Sequence, residues 1–293
     1  MREILLAGLD DAVHFNKTLE RIEQISGDQV CAYFADASSA QGEMLIGADG
    51  TGSVVRHLLL PNAKVSKIGF AIYGKTPLTS QAIKWIPENL ITGFSRVADP
   101  SGVAMMFGTY RKREEFSKAT AEHVPNLHLT ETHDYLMWTF RASLEQLGLT
   151  DEQFWCADAV ALHAAVSERV KEWHPSLRRI AAESDIPATF SVGFHASEPV
   201  KPWRTTNVTL LGDAIHTMPP FRGVGANTAL RDAELLRRKL MDVGETRMTL
   251  PQATSEYEEE MRRYGFEAVK NSVDKPLFSR QSPAELHGPE GGQ

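Results

Sequence analysis

The stretch from Val208 to Ala233, VTLLGDAIHTMPPFRGVGANTALRDA, constrains the fold more than any other part of the sequence. An apolar run of strand character ends at Gly212, and a glycine-rich loop leads into a helical pattern that begins near Ala226. Ligands of α/β proteins bind beyond the carboxyl ends of strands, which is where Asp213 stands. The glycines allow close approach to the backbone, and the helix directs its positive end to the same point. The stretch therefore predicts a cradle for an electron-rich ring or an anion.

The polar residues around this loop also have ordinary structural interpretations. Asn227 would cap the helix, and Asp232 would be a charge on its surface. His216 would pack within the loop rather than act as a ligand or a base. A plain strand, loop and helix would explain an isolated Gly-Asp pair, whereas the pattern here extends over the whole stretch.

A second motif, MLIGADGTGSVVR, runs from Met44 to Arg56. The strand pattern ends at Ala48, Asp49 begins a tight turn, and Ser53 is placed to cap the helix that carries Arg56. Asp49 thus also stands at the carboxyl end of a strand. The same residues are also typical of an ordinary turn aspartate and a surface arginine, so the structural and the ligand-binding interpretations both stay open at this point.

The composition is that of a globular protein without a nucleic-acid or membrane signal. The chain has 293 residues, 42% of them hydrophobic, which suffices for one large domain or two smaller ones. It carries 31 basic and 38 acidic residues, a net charge of −7, and no basic block. No stretch approaches the ~20 apolar residues of a membrane helix. The N-terminal MREILLAGLDDAV is too short and too acidic for a signal peptide, so we expect a cytoplasmic protein.

The cysteine and histidine content argues against disulfides and metal. Cys31 and Cys156 are too few for a disulfide framework or a cysteine-based metal site, and we expect two reduced, buried thiols. His163 and His174 have no carboxylate pair at metal-ligand spacing beside them. The sequence therefore predicts no metal site.

Local patterns outline the remaining elements. Strand patterns cover Leu19–Ile25 and Val30–Phe34, joined by a hairpin turn at SGDQ, and again Met44–Ala48. From Val65 to His195 strands rich in β-branched and aromatic residues alternate with helical segments, which indicates an α+β block with a mainly antiparallel sheet. The remaining predicted elements are helices at Met1–Leu9, Ser53–Leu60, Ala226–Met241 and Leu250–Val269, a strand at Asn207–Leu211, and a polar C-terminal tail.

The two motifs together resemble those of the FAD-dependent aromatic hydroxylases, single-component monooxygenases of the p-hydroxybenzoate hydroxylase type. GADGTGSVVR is similar to the Asp-Gly motif of that family, and LLGDAIHTMPPFRGVGANTALRDA is similar to its Gly-Asp motif. Within the family the chain looks most like the branch of tetracycline-inactivating monooxygenases. The family places its substrate domain between the two motifs, which fits their spacing here.

The resemblance implies two cofactors, FAD and NAD(P)H, and a hydrophobic or aromatic substrate. Asp213 would hydrogen-bond the ribityl chain of FAD, and the motif of Asp49 would serve both FAD and NAD(P)H. NAD(P)H would reduce the flavin, which with O2 would hydroxylate or epoxidise the substrate. The residues assigned to the cofactor are Asp49, Arg56, Gly212, Asp213, Pro219, Pro220, Gly223, Gly225, Ala226 and Asn227, and those assigned to the substrate are Phe221 and Arg222.

The implied fold is α/β, or α+β overall, with a partial Rossmann-like domain that binds FAD. Residues 1–64 would be its first segment, 65–196 an inserted antiparallel-sheet substrate domain, 197–245 the second segment, and 246–293 a C-terminal helix and tail. The family begins with a βαβ unit that carries G-x-G-x-x-G, and no such motif occurs in this sequence. An incomplete chain, a flavin-free short form that binds a small molecule or acts as a cyclase or isomerase, and a chain complemented by a partner subunit are the alternatives left open.

Overall fold

The structure, a computed structural model, describes residues 2–25, 29–123, 127 and 129–274. The chain divides into two compact units. Unit 1 comprises Met1–His14 and Phe70–Gly193, and unit 2 comprises Phe15–Gly69 and Phe194–Gln293. Residues 1–14 group with the middle of the chain rather than with the first motif, and the expected four-part division stays a prediction.

The strands are β1 (Leu19–Ile25), β2 (Gln29–Phe34), β3 (Ser39–Gly42), β4 (Leu45–Gly47), β5 (Val65–Pro77), β6 (Phe94–Ala98), β7 (Ala104–Tyr110), β8 (Tyr135–Arg141), β9 (Phe190–Ser197) and β10 (Val208–Leu210). The helices are α1 (Arg2–Leu6), α2 (Val54–Leu59), α3 (Glu88–Ile91), α4 (Phe116–His123), α5 (Leu144–Leu147), α6 (Asp151–Cys156), α7 (Ala159–Arg169), α8 (Pro175–Ala182), α9 (Asp213–His216), α10 (Gly225–Gly244) and α11 (Leu250–Asp274). Short 3₁₀ turns cover Ala82–Lys84, Ile186–Ala188 and Pro220–Arg222.

Unit 1 is built on a five-stranded sheet with the order β6-β7-β8-β5-β9. The pairs β6–β7, β7–β8 and β5–β8 are antiparallel. One face of the sheet forms the core with helices α6 to α8, because alternate residues such as Phe107 and Trp138 are fully buried against them. Gly74 makes room for the Trp138 indole, since an added Cβ would lie 2.1 Å from its Cζ2 atom. The α+β character and antiparallel sheet predicted for this part of the chain are confirmed.

Unit 2 holds both sequence motifs. Strands β10 and β4 pair in parallel, with Val208 opposite Leu45, and β1, β2 and β3 form an antiparallel sheet. Helix α11 packs on β10 and joins it through the Tyr257 hydroxyl, which donates to the Leu210 carbonyl oxygen at 2.8 Å. The parallel pair places the carboxyl ends of β4 and β10, and thus both motifs, at the same edge.

Several elements differ from the sequence prediction. The N-terminal helix ends at Leu6, and Gly8 beyond it adopts φ 75. The segment NLITGFSRVA at 89–98, whose residues predict a strand, is half helix and half strand, because Gly93 with φ 101 interrupts it. Strand β3 and helix α4 were not predicted. The centre of the predicted hairpin turn, residues 26–28, and the polar tail lie outside the described residues.

One of the two cysteines differs from the prediction of two buried thiols. Cys31 is buried, but Cys156 is exposed at the end of α6, so the prediction of two buried thiols was wrong for the second. None of the helices in the described ranges combines the length and the apolar character that crossing a membrane requires. The same ranges contain no group of three or more metal-ligating side chains placed to hold an ion.

Candidate functional site

The Gly-Asp motif forms a tight turn between β10 and a short helix. Gly212 adopts φ 63 and ψ −138, a conformation that favours glycine, and an added Cβ would lie 3.0 Å from the Ala229 Cβ. Its carbonyl oxygen accepts hydrogen bonds from the Ile215 and His216 amides, both at 3.0 Å. Asp213 therefore begins α9, where the sequence pattern had suggested only loop.

Asp213 presents its carboxyl group to solvent at the end of the strand. Among the described residues no group hydrogen-bonds to this carboxyl, although the residues on either side of it are buried. Partial burial raises the pKa of Asp213, and the neighbouring His216 opposes that shift. The carboxyl group is thus available to accept hydrogen bonds from a ligand that carries hydroxyl groups.

The start of α10 provides a row of backbone donors. Pro219 is buried, the turn at Pro220–Arg222 ends at Gly223 with φ 65, and the helix begins at Gly225. Val224 occupies the cap position, and no side chain caps the helix there. The amides of the first turn have no partner within the helix, so they point outward as donors. Asn227 lies exposed inside this first turn, and its predicted role as the helix cap was wrong.

Phe221 and Arg222, the expected substrate residues, lie half-buried in the turn between Pro219 and α10. The Phe221 ring packs edge-on against Phe194, with ring centroids 5.2 Å apart and an interplanar angle of 73°. The turn is thereby anchored to Phe194, in the part of β9 that belongs to unit 2.

The Asp-Gly motif caps helix α2 with two side chains. The Asp49 carboxylate accepts hydrogen bonds from the Val54 and Val55 amides at 2.8 and 3.2 Å. Ser53 accepts from the Arg56 amide at 2.9 Å, as the capping pattern predicted. Asp49 itself remains exposed, so its carboxylate organises the helix start while one side stays open to solvent.

Arg56 is buried, with 4% of its surface exposed, and the surface interpretation left open for it was wrong. Its Nη1 donates to the Ala214 carbonyl oxygen at 2.8 Å, and its Nη2 donates to the Thr51 carbonyl oxygen at 2.7 Å. Burial lowers the pKa of this guanidinium, and Asp49 opposes the shift. The Thr51 and Thr217 hydroxyls form a second link, 2.9 Å long. The two motifs, far apart in the chain, are therefore directly bonded to each other.

Asp232 is fully buried, so its predicted role as a surface charge was wrong. One carboxylate oxygen, Oδ2, accepts hydrogen bonds from the Gly212 amide at 2.8 Å and from His216 Nε2 at 2.6 Å. The other, Oδ1, accepts from the Tyr264 hydroxyl at 2.6 Å. The signal available in the sequence was its spacing, because Asp232 lies midway between Thr228 and Leu236 on the buried stripe of α10.

His216 and Tyr264 complete this network from α9 and α11. The His216 ring is buried and lies against Gly265, and among the described residues its Nδ1 has no hydrogen-bond partner. The Tyr264 ring is stacked by the Arg231 guanidinium, 3.9 Å from the ring centroid. Burial raises the pKa of Tyr264 far above its ordinary value, so its hydroxyl stays a donor. Sequence reasoning assigned His216 correctly to packing but did not include Tyr264.

Comparison with known proteins agrees with the two motifs. Residues 12–272 match the family described as FAD binding domain. A crystal structure from Photorhabdus luminescens, described as an FAD-containing monooxygenase, is 33% identical with a TM-score of 0.77, and the match covers 95% of this chain and 73% of that one.

Two fungal relatives show how the chain compares in length. The dual O-methyltransferase/FAD-dependent monooxygenase elcB of Phaeosphaeria nodorum is 29% identical over 97% of this chain and 35% of its own length. The FAD-dependent monooxygenase phnB of Penicillium herquei is 29% identical over 94% of this chain and 64% of its own length. The chain thus spans about a third of the first relative and just under two thirds of the second. With the matched domain covering most of its residues, the chain belongs to the FAD-binding domain family, alongside proteins named as FAD-dependent monooxygenases.

Proposed function

We propose that this chain provides the flavin-contacting site of an FAD-dependent, NAD(P)H-using monooxygenase that hydroxylates or epoxidises a hydrophobic or aromatic metabolite. The observation that carries the proposal is the open Asp213 carboxyl group beside the uncapped start of α10. Membership of the FAD-binding domain family and the names of the relatives support the same activity.

The residues present fit the flavin half of FAD. A ribityl chain carries hydroxyl groups, which would donate to the open Asp213 carboxyl group. A flavin ring carries oxygen and nitrogen acceptors at its pyrimidine edge, which would take the free amides of Gly225, Ala226 and Asn227. Gly223, where an added Cβ would meet nothing within 4 Å, leaves space for a ring to approach the backbone.

The side chains and backbone of this chain would position the cofactor rather than react with the substrate. Bound flavin supplies the redox and oxygen-transfer chemistry. The positive end of α10 would stabilise negative charge that develops on the reduced ring. Pro219 and Pro220 would support the ring from the side, because their fixed backbone angles hold the turn before α10. Asp49, by capping α2, would keep the second motif in place against α9.

The second face of the unit 1 sheet supports an aromatic or hydrophobic substrate. Its residues alternate with the buried core residues, and half-exposed apolar side chains such as Met106 and Met137 lie among polar ones such as Lys75 and Thr139. Tyr73 and Phe190 stack there with ring centroids 4.8 Å apart, and burial raises the pKa of Tyr73 to about 12. The neutral Tyr73 hydroxyl would thus be a donor next to an apolar surface, a combination suited to a ring with polar substituents. Independently of this face, Phe221 and Arg222 remain proposed substrate contacts at the turn before α10.

We also propose that the protein works in a reducing compartment such as the cytoplasm. The exposed thiol of Cys156 is typical of proteins kept reduced. The assay includes NADH and NADPH in parallel.

The test begins with the purified chain and FAD. We expect visible flavin absorbance, a thermal midpoint that rises with FAD, and NAD(P)H oxidation that increases when an aromatic substrate is added. A colourless protein that gains no thermal stability from FAD would contradict the proposal and favour a flavin-free binding protein. Free FMN and AMP serve as matched controls, because only FMN shares the ring and ribityl chain that the described residues fit.

A further inference from the structure

We infer that Asp213 is aimed at its ligand by two buried side chains of opposite charge, Asp232 and Arg56, which hold the peptide groups on either side of it. Asp232 is in this sense a positioning residue for the Gly-Asp motif. The part of the inference that concerns ligand affinity rests on the proposed function, whereas the part that concerns the turn does not.

The first hold acts on the residue before Asp213. The Gly212 amide donates to Asp232 Oδ2 at 2.8 Å, and the Gly212 carbonyl oxygen accepts from the Ile215 and His216 amides of α9. A residue with φ 63 and ψ −138 lies outside the conformations that most of the chain adopts, so surrounding bonds must keep it there. Asp232 supplies the bond to the amide, and it reaches the turn from the second turn of α10.

The second hold acts on the residue after Asp213. The Ala214 carbonyl oxygen accepts from Arg56 Nη1 at 2.8 Å, while Nη2 of the same guanidinium is tied to Thr51. The planar fork of an arginine can hold two such oxygens in a fixed geometry, which a lysine cannot reproduce. The direction of the Asp213 Cα–Cβ bond is therefore fixed from both sides by side chains on other helices.

Neither charge can act on a ligand directly. Asp232 has no exposed surface and Arg56 has 4%, so a bound molecule would touch neither side chain. His216, the partner of Asp232, is equally buried, which excludes a dyad that takes a proton from a substrate. The network therefore affects ligand binding only through the geometry of the turn.

Stability alone does not explain why Asp232 and Arg56 are buried. Buried charges are often replaced by apolar residues without loss of stability, because removing them from water is unfavourable. Here the network leaves His216 Nδ1 buried without a hydrogen-bond partner among the described residues, so not every buried polar atom of the network is satisfied. What the network does secure is one backbone geometry at Gly212, Asp213 and Ala214.

The experiment compares Asp232→Asn with Tyr264→Phe, each tested by hydrogen exchange of the 211–217 segment with mass spectrometry. Asparagine offers one acceptor oxygen where the carboxylate offers two, so the Gly212 amide should exchange about tenfold faster or more. Tyr264→Phe removes a single oxygen that bonds Oδ1, and it leaves the Oδ2 bonds to the turn in place. It should leave the exchange of the segment unchanged.

Affinity for FAD, measured by flavin fluorescence, gives the second readout. Asp232→Asn should weaken FAD binding about tenfold, close to the effect of Asp213→Asn. When Asp213→Asn is already present, adding Asp232→Asn should lower the FAD affinity little further, because a residue that acts through the Asp213 carboxylate has no effect once that carboxylate is gone. A general structural defect would instead add to the effect of Asp213→Asn.

The outcomes separate the inference from the proposed function. Unchanged exchange and affinity in Asp232→Asn, or additive effects with Asp213→Asn, would overturn the inference. If the wild-type chain binds no FAD, the proposed function fails and the exchange comparison still decides on the turn. If circular dichroism shows that Asp232→Asn does not fold, hydrogen exchange of the Gly212 amide in the wild type tests the inference instead. Protection of about tenfold or more supports the bond from Asp232 to the turn, and an unprotected rate overturns it.

Discussion

Gly265 of α11 lies directly against the imidazole of His216, and a Cβ added to this glycine would come within 2.5 Å of the His216 Cδ2 atom. The contact explains how a histidine ring fits between α9 and α11. It also shows that α11, which contains no part of either sequence motif, shapes the Gly-Asp turn through His216 and Asp232.

Gly265→Ala should therefore destabilise the protein. The ring cannot move without breaking its bond to Asp232, so we expect a loss of about 1 to 3 kcal/mol in the free energy of unfolding. Gly244→Ala, the same change in α10, is the matched control, because nothing lies within 4 Å of a Cβ there. The control should be neutral or stabilising by up to about 1 kcal/mol, since alanine favours the helix. Urea denaturation of both variants measures the difference, and equal midpoints would contradict the packing described.

Asp213→Ala should weaken FAD binding without unfolding the protein. The carboxyl group lies open to solvent, so the fold does not depend on it, but a lost hydrogen bond to a charged acceptor should lower the affinity about tenfold or more. Fluorescence titration of FAD measures the change. Glu234→Ala on the outer side of α10 serves as the control for a lost acidic charge. An FAD affinity equal to that of the wild type would refute the role assigned to Asp213.

Arg56→Lys should destabilise unit 2 despite keeping the charge. A lysine ammonium cannot reach the Ala214 and Thr51 oxygens together in the geometry of the guanidinium fork. One buried carbonyl would then lose its charged donor, at a loss of about 1.5 to 3 kcal/mol. Arg238→Lys, in an exposed ion pair with Glu234, should change the free energy of unfolding by less than about 0.5 kcal/mol. Chemical denaturation compares the two, and similar losses would argue against the buried fork.

Glu258 should make the stability of the protein depend on pH. This buried carboxyl group of α11 accepts hydrogen bonds from the Thr205 and Thr209 hydroxyls at 3.0 and 2.9 Å. Burial nevertheless raises the pKa of Glu258, although the two hydroxyls oppose the shift. Because the pKa is higher in the folded than in the unfolded chain, the protonated form stabilises the fold, and this contribution is lost as pH rises above the ordinary value of 4.5.

Glu258→Gln isolates that effect, because the amide cannot titrate. As pH rises above 4.5, the free energy of unfolding of the wild type should fall relative to that of the variant. Denaturation curves recorded for both proteins at several pH values give the difference directly. A difference that stays constant, or that changes in favour of the wild type, would show that the fold does not raise the pKa of this carboxyl group.

Patterns within a few residues were sufficient to predict much of the fold. The apolar run at Val208–Leu210, the cap at Ser53 and the glycine-rich entry to α10 follow local rules of strand, cap and turn chemistry, and the structure contains all three. The antiparallel sheet of unit 1 was predictable for the same reason. Strand β3, with the letters SAQG, has no apolar alternation, and it forms because β2 beside it provides a pairing edge.

The buried residues of the site could not be predicted from such local patterns. Arg56 and Asp232 are charged, and charged residues lie on the surface unless partners compensate them. Their partners are backbone groups of the Gly-Asp turn, which only the folded chain brings to them. Tyr264 was missed because its partner, Asp232, lies 32 residues away on another helix.

The discontinuity of unit 2 has a consequence for biosynthesis. Its first stretch, Phe15–Gly69, is completed only by residues from Phe194 onward, and the bond between Arg56 and Ala214 spans 158 positions. At ribosomal rates of about 5 to 20 residues per second, Arg56 leaves the ribosome roughly 10 to 30 s before Ala214 does. During that interval Arg56 lacks its Ala214 partner, and the edge of β4 lacks β10. Nascent chains stalled within the intervening residues should therefore be sensitive to proteases at the first motif and depend on chaperones that bind exposed strand edges.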